Sequence, residues 1–160
     1  MIVLHGNGSS SVFYDQGEVR LFAEALAKKG VSSLFFNNRG AHLIKMLTRT
    51  TKGESAREFH GMAFEKIKDC VHDIDGAISF LKDRGYTELS LMGVSTGANK
   101  ICVYHHYKPD NEIKRNVLIC GGDDAGTYYD LFGEEKFKKL LQVSDQKISN
   151  GNADELATEL

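Results

Sequence analysis

The sequence has no excess of either charge. Lys and Arg number 20 against 22 Asp and Glu, a formal net charge of -2, so neither a nucleic acid nor an acidic membrane surface has electrostatic support as a partner. No apolar run approaches the roughly 20 residues of a membrane-spanning helix, and Met1 to Leu4 is too short for the apolar region of a signal peptide. Cysteine is scarce: the 3 present, Cys70, Cys102 and Cys120, are odd in number and far apart. No C-x-x-C or His/Cys spacing points to zinc, and a disulfide framework belongs to oxidising compartments. Each lies in an apolar run and is read as a small core residue, which fits a reduced, cytoplasmic setting. Also missing are G-x-G-x-x-G and G-x-x-x-x-G-K-[ST], so a nucleotide-binding domain ranks low. Neither a metal nor a cofactor is expected.

What is present suffices for one domain with a real core: 160 residues, 41% hydrophobic and 26% charged,. The chain is organised around Leu89 to Ala98, where a strand-like run meets a helix-like run through Gly93-Val94-Ser95-Thr96-Gly97. A G-x-S-x-G turn in that setting is a nucleophile elbow, which holds its Ser in a strained backbone conformation. Gly93 and Gly97 are needed because a Cβ at either place would collide with the neighbouring strand or helix. The turn also puts Ser95 at a helix N-terminus, where unpaired N–H groups favour an anionic oxygen. The alternative is an ordinary glycine turn with Ser95 as an N-cap.

In chain order, Ile2-Val3-Leu4 reads as a buried strand running into the glycine-bearing loop His5 to Ser11. Gly17 to Lys29 reads as an amphipathic helix with Val19, Leu21, Phe22, Ala25 and Leu26 near one face, and Val31 to Phe36 as a strand. Together these make a βαβ unit with parallel strands. From Asn37 to about Met62 the polar content and Gly53 predict a long irregular loop, able to form one wall of a substrate pocket. Phe64 to Arg84 has apolar residues at three-to-four spacing and predicts a helix closed by Gly85; its Asp69, Asp73 and Asp75 read as a solvated face. The helix from Thr96 turns Ala98, Ile101, Cys102 and Tyr104 inward and frays at His105 to Lys108 before Pro109. Asn116 to Cys120 reads as a further parallel-type strand ending in Gly121-Gly122-Asp123-Asp124. Leu131 to Val143 and Ala153 to Leu160 read as charged amphipathic helices.

The strand entering His5-Gly6, the Phe36-Asn37-Asn38-Arg39-Gly40 run, the long helix, the elbow and the following strand lie in the order of the α/β-hydrolase superfamily, which the chain resembles over nearly its whole length. Gly61 to Glu65, Asp69 to Ile74 and Gly97-Ala98-Asn99-Lys100 look more particularly like the branch that includes fungal siderophore esterases. The resemblance implies an α/β fold with a mostly parallel sheet flanked by helices, a partial hydrolase core over residues 1–124 and the start of a helical cap over 125–160. It implies a serine esterase acting on a small-molecule ester, with Ser95 as nucleophile and the backbone N–H groups of Asn7 and Thr96 as the oxyanion hole. Asp123 or Asp124 is a possible triad acid; the alternative is a loop carboxylate that lines the pocket or caps the next helix.

The departures concern the ends. Members of the family usually carry one or two strands before the His-Gly strand, and their triad His comes late, so the chain reads as the front portion of a hydrolase with its His beyond Leu160. Among the histidines present, His105 and His106 lie roughly 15 Å along the helix from Ser95 at about 1.5 Å per residue. His72 is mid-helix, His5 belongs to the oxyanion loop, and His60 lies in the long loop. Only His42 follows a strand end closely enough to be weighed as a base. A non-catalytic hydrolase-like protein that binds a ligand or partner is the second reading.

Overall fold

Strand β1 (Ile2–Leu4) buries all of its side chains. It is central in a sheet whose remaining strands arrive from far along the chain. The computed structural model describes residues 1–8, 16–153 and 155. Helix α1 (Gln16–Ala27) leads to β2 (Leu34–Phe35), which pairs parallel with β1 so that Ile2 faces Leu34 and Val3 faces Phe35. The βαβ unit is therefore present, although β2 is shorter than Val31 to Phe36. The apolar residues of α1 are not sealed: Leu21 is 68% exposed, while Phe22 meets Phe35 edge-on at 6.2 Å.

The expected irregular stretch from 37 to 62 is for the most part a hairpin. β3 (Lys45–Thr51) and β4 (Glu54–His60) pair antiparallel in full register from Lys45 opposite His60 to Thr51 opposite Glu54. Lys52 at φ 53° and Gly53 at φ 87° join them, the paired positive φ of a tight turn whose twist suits a hairpin. Polar side chains mislead here because the ribbon is exposed on both faces, so no apolar alternation marks it. Its base is closed by Gly61 N–H on Arg39 O and Met62 N–H on His42 O.

The predicted helix start at Phe64 is also corrected. Met62–Phe64 and Ile67–Asp69 are 3₁₀ turns, and α2 (Cys70–Lys82) begins after them. Gly85 at φ 82° follows its end. β5 (Ser90–Val94) pairs parallel with β1, β6 (Arg115–Ile119) pairs parallel with β5, and α3 (Thr96–Tyr107) connects these two. The sheet order is β2-β1-β5-β6, all parallel, so the fold is α/β.

Alternation across the strands divides the core. Ile2, Leu4 and Leu91 join Cys70, Ile74, Ile78 and Leu81 of α2 and Ile101 and Tyr104 of α3 in one cluster, while Val3 and Met92, paired in register, are buried on the opposite face,. Cys70 belongs to this core, and burial pushes its thiol up to about 11. The other cysteines correct the expectation: Cys102 and Cys120 are exposed. Helix α3 holds through Tyr107 where fraying is expected, because His105 at its end is held by Asn111 and Asn116.

The chain divides into two compact units, Met1–Gly122 and Asp123–Leu160. In the second, α4 (Asp124–Phe132) and α5 (Glu134–Ser149) are separated by Gly133 at φ 78°. The break replaces the predicted helix Leu131 to Val143, since Leu131 and Phe132 finish α4. Tyr129 meets Phe137 edge-on across the pair, and neither helix has a buried residue. Ala153 lies in a turn, and most of the helix expected from there to Leu160 falls outside the described residues. Among the described residues no helix is long and apolar enough to cross a membrane.

Candidate functional site

Ser95 joins β5 to α3 at φ 55°, ψ -128°. A residue with a Cβ avoids this conformation, and holding it there costs on the order of 1–3 kcal/mol. The surroundings enforce it. Ser95 N–H donates to Ile119 O at 2.8 Å, and its own carbonyl accepts from Ala98 N–H at 2.8 Å. A Cβ on Gly93 would run into the Gly97 backbone, and one on Gly97 would run into the Leu4 carbonyl. The two glycines therefore let β5, α3 and the end of β1 close together as the motif requires.

The hydroxyl of Ser95 makes no capping hydrogen bond, and the residue is exposed. An N-cap Ser would spend its oxygen on the N–H groups of the first turn, so that alternative fails here. Beside Ser95 lies the loop leaving β1. A Cβ on Gly6 would stand 2.9 Å from Ser95 Cβ and 3.5 Å from Oγ, which makes Gly6 the close neighbour of the hydroxyl.

His5 organises that loop. Its Nδ1 lies 2.7 Å from Gly6 O, and its Nε2 lies 3.1 Å from Asn38 N. A carbonyl only accepts and a backbone N–H only donates, so the ring is neutral with its proton on Nδ1. Burial holds the imidazole below its ordinary range; the Gly6 hydrogen bond opposes this and the Lys100 charge adds to it. Gly6 C=O and Asn7 N–H belong to one planar trans peptide and point in opposite directions. Fastening the carbonyl on His5 therefore orients the Asn7 N–H. Asn7 itself is exposed, and Thr96 supplies the first N–H of α3. Met62, just past the hairpin, presses its Sδ against Gly8.

Beneath the loop lies a polar cluster that sequence reading misses. Lys100, only 1% exposed, places Nζ 2.6 Å from Glu65 Oε1 and 3.2 Å from Asn38 Oδ1. The Glu65 contact is an ion pair without hydrogen-bond alignment, which leaves Oε1 with a charge partner and no hydrogen bond. The other carboxylate oxygen of Glu65 occupies the space a Cβ on Gly40 would need. Arg39 clamps α2, with Nε and Nη2 on Asp73 at 3.0 to 3.2 Å and Nη1 on Asp69 at 3.0 Å. Asp75 accepts from the Tyr104 hydroxyl at 3.0 Å and pairs with Lys108 at 3.1 Å. Asp69, Asp73 and Asp75 are therefore partly exposed, as a solvated face would be, and also paired with other elements. Spacing offered one signal for Lys100: it shares the inward face of α3 with Gly97, Ile101 and Tyr104.

The structure brings Ser95, Thr96 and the His5 to Gly8 loop together. Asp123 and Asp124 belong to the second unit, where Asp123 Oδ1 caps α4 by accepting from Gly126 N–H at 2.9 Å. His5 and His105 have both ring nitrogens engaged. His42 sits at φ 68° before the hairpin, and His60 is 3.4 Å from Glu58. No protein-family model, curated protein or solved structure matches the chain.

Proposed function

We propose that the chain carries the nucleophile and oxyanion half of a serine hydrolase of the α/β-hydrolase type, acting on a carboxylic ester of a small molecule. The observation that supports this best is Ser95: a strained, exposed serine with an uncommitted hydroxyl, on a strand-to-helix turn, beside a glycine loop,. Strain of this kind persists where surroundings over-determine it, and it gathers at reacting groups.

In this reading Ser95 Oγ attacks the ester carbonyl carbon and its proton passes to a histidine base of the full protein, since His5 and His105 have both ring nitrogens engaged,. The carbonyl oxygen, now an anion, is held by the N–H groups of Thr96 and Asn7. Loss of one such donor costs about a hundred- to a thousandfold in rate. The neutral His5 serves the loop and not the nucleophile, because neither ring nitrogen is free. The capping duty of Asp123 accounts for its carboxylate without a triad role.

A fluorophosphonate probe tests the proposal directly. The expected result is covalent labelling of the full gene product that disappears in Ser95→Ala. Absence of labelling, or labelling that persists in Ser95→Ala, would overturn it and favour a non-catalytic ligand-binding protein of the same fold.

A further inference from the structure

Asn38 is 1% exposed, and both ends of its side-chain amide are assigned by their neighbours. Its Oδ1 receives Gly40 N–H at 3.1 Å and Lys100 Nζ at 3.2 Å. Both partners are donors, so the amide nitrogen must point the other way, toward His5 O at 3.5 Å,. The backbone N–H of the same residue holds His5 Nε2. His5 is thus gripped through its ring and its carbonyl by one residue, and its Nδ1–H in turn fixes the Gly6–Asn7 peptide.

The far end of this chain of bonds is Lys100, on the helix that Ser95 opens. A buried ammonium needs a counter-charge, and Glu65 supplies it,. Glu65 is seated against Gly40, two residues beyond Asn38. The pair therefore closes on the strand-end segment that carries Asn38, and the nucleophile helix, that segment and the oxyanion loop form one connected unit.

We propose that Asn38, locked by the buried Lys100–Glu65 pair, is a positioning residue that sets the Asn7 N–H of the oxyanion loop against Ser95. Its chemical consequence rests on the serine-hydrolase reading; its effect on the loop does not. A misaimed donor loses transition-state stabilisation while leaving ground-state contacts alone. The role is one of rate and not of substrate affinity.

The test uses the full chain with Asn38→Asp, which keeps the shape but turns a carboxylate oxygen toward the His5 carbonyl. A second variant, Lys100→Met with Glu65→Gln, removes both charges at similar volume and keeps the comparison available should Asn38→Asp not fold. Backbone ¹⁵N order parameters are followed at Gly6, Asn7 and Gly8 against β5, and fluorophosphonate inactivation is resolved into maximal rate and probe affinity. The expected result is lowered order parameters in the loop with β5 unchanged. The maximal inactivation rate is expected to fall about ten- to a hundredfold at constant probe affinity, as for a partly lost oxyanion donor. A merely structural role would instead reduce the fraction of labelled protein at an unchanged rate. Wild-type loop order parameters and wild-type rates in the folded variants would overturn the proposal. If the full gene product is not labelled at all, the hydrolase reading falls, and the loop order parameters alone decide the positioning role.

Discussion

Gly6 and Ser95 touch across 89 positions of sequence, and the contact leaves no room for a side chain on residue 6, whose Cβ would lie 2.9 Å from that of Ser95. The loop that leaves β1 is therefore shaped around the serine at the end of β5. Both strands reach the same edge because they are paired in parallel, with Leu4 opposite Gly93.

Gly6→Ala is accordingly expected to push the loop away from Ser95. Overpacking of this kind costs about 1–3 kcal/mol, and the displaced Asn7 N–H should slow fluorophosphonate labelling at least about tenfold. Denaturant titration and labelling kinetics measure the two effects. A variant that labels at the wild-type rate would show that the loop is not held at the serine.

Ser95→Gly is expected to stabilise the fold. Glycine adopts φ 55° without a Cβ penalty,, and relief of strain of about 1–3 kcal/mol should raise the urea midpoint while labelling is lost. An unchanged or lower midpoint would contradict the strain assigned to this residue.

Stability should fall as the solution is acidified through the ordinary imidazole range, in part because of His5. Its pKa is lowered in the folded chain from 6.5, chiefly by burial, so below that value the unfolded chain binds more protons than the folded one. The contribution of His5 is complete above about pH 6.5 and declines as pH drops from there toward the lowered folded value. Replacing His5 with Gln should flatten this part of the stability-versus-pH curve, measured by denaturation at several pH values. An equally steep curve in His5→Gln would assign the dependence to other groups.

Thr96→Val separates the side chain of Thr96 from its backbone. The hydroxyl oxygen of Thr96 is buried with no hydrogen-bond partner, a state that costs about 1–3 kcal/mol. The valine variant should match or exceed wild-type stability, and labelling should continue because the N–H is retained. Loss of labelling in a folded Thr96→Val would instead give the hydroxyl a chemical role.

Much of this site is legible in local pattern. Gly93-Val94-Ser95-Thr96-Gly97 lies between a strand run and a helix run, and steric rules alone require small residues around a serine lifted from such a turn. His5-Gly6 after a short apolar strand marks a loop able to approach it. The hairpin Lys45 to His60 was hidden for the opposite reason: with both faces exposed it carries no apolar period, and a Lys-Gly turn is a weaker signal than Asn-Gly. The apolar neighbours of Cys102 predict an inward side chain, yet its place on α3 faces water.

The sequence by itself determined the α/β order, the parallel βαβ unit and the strand-turn-helix around Ser95, because these depend on residues within one or two elements. Tertiary structure decided which charges meet. Asn38 and Lys100 are 62 positions apart, and Lys100 meets Glu65 only because α3 packs over the segment before α2. Periodicity reports which face of an element turns inward. It does not report which buried partner awaits a charge on that face, and burial makes such a charge dependent on that partner.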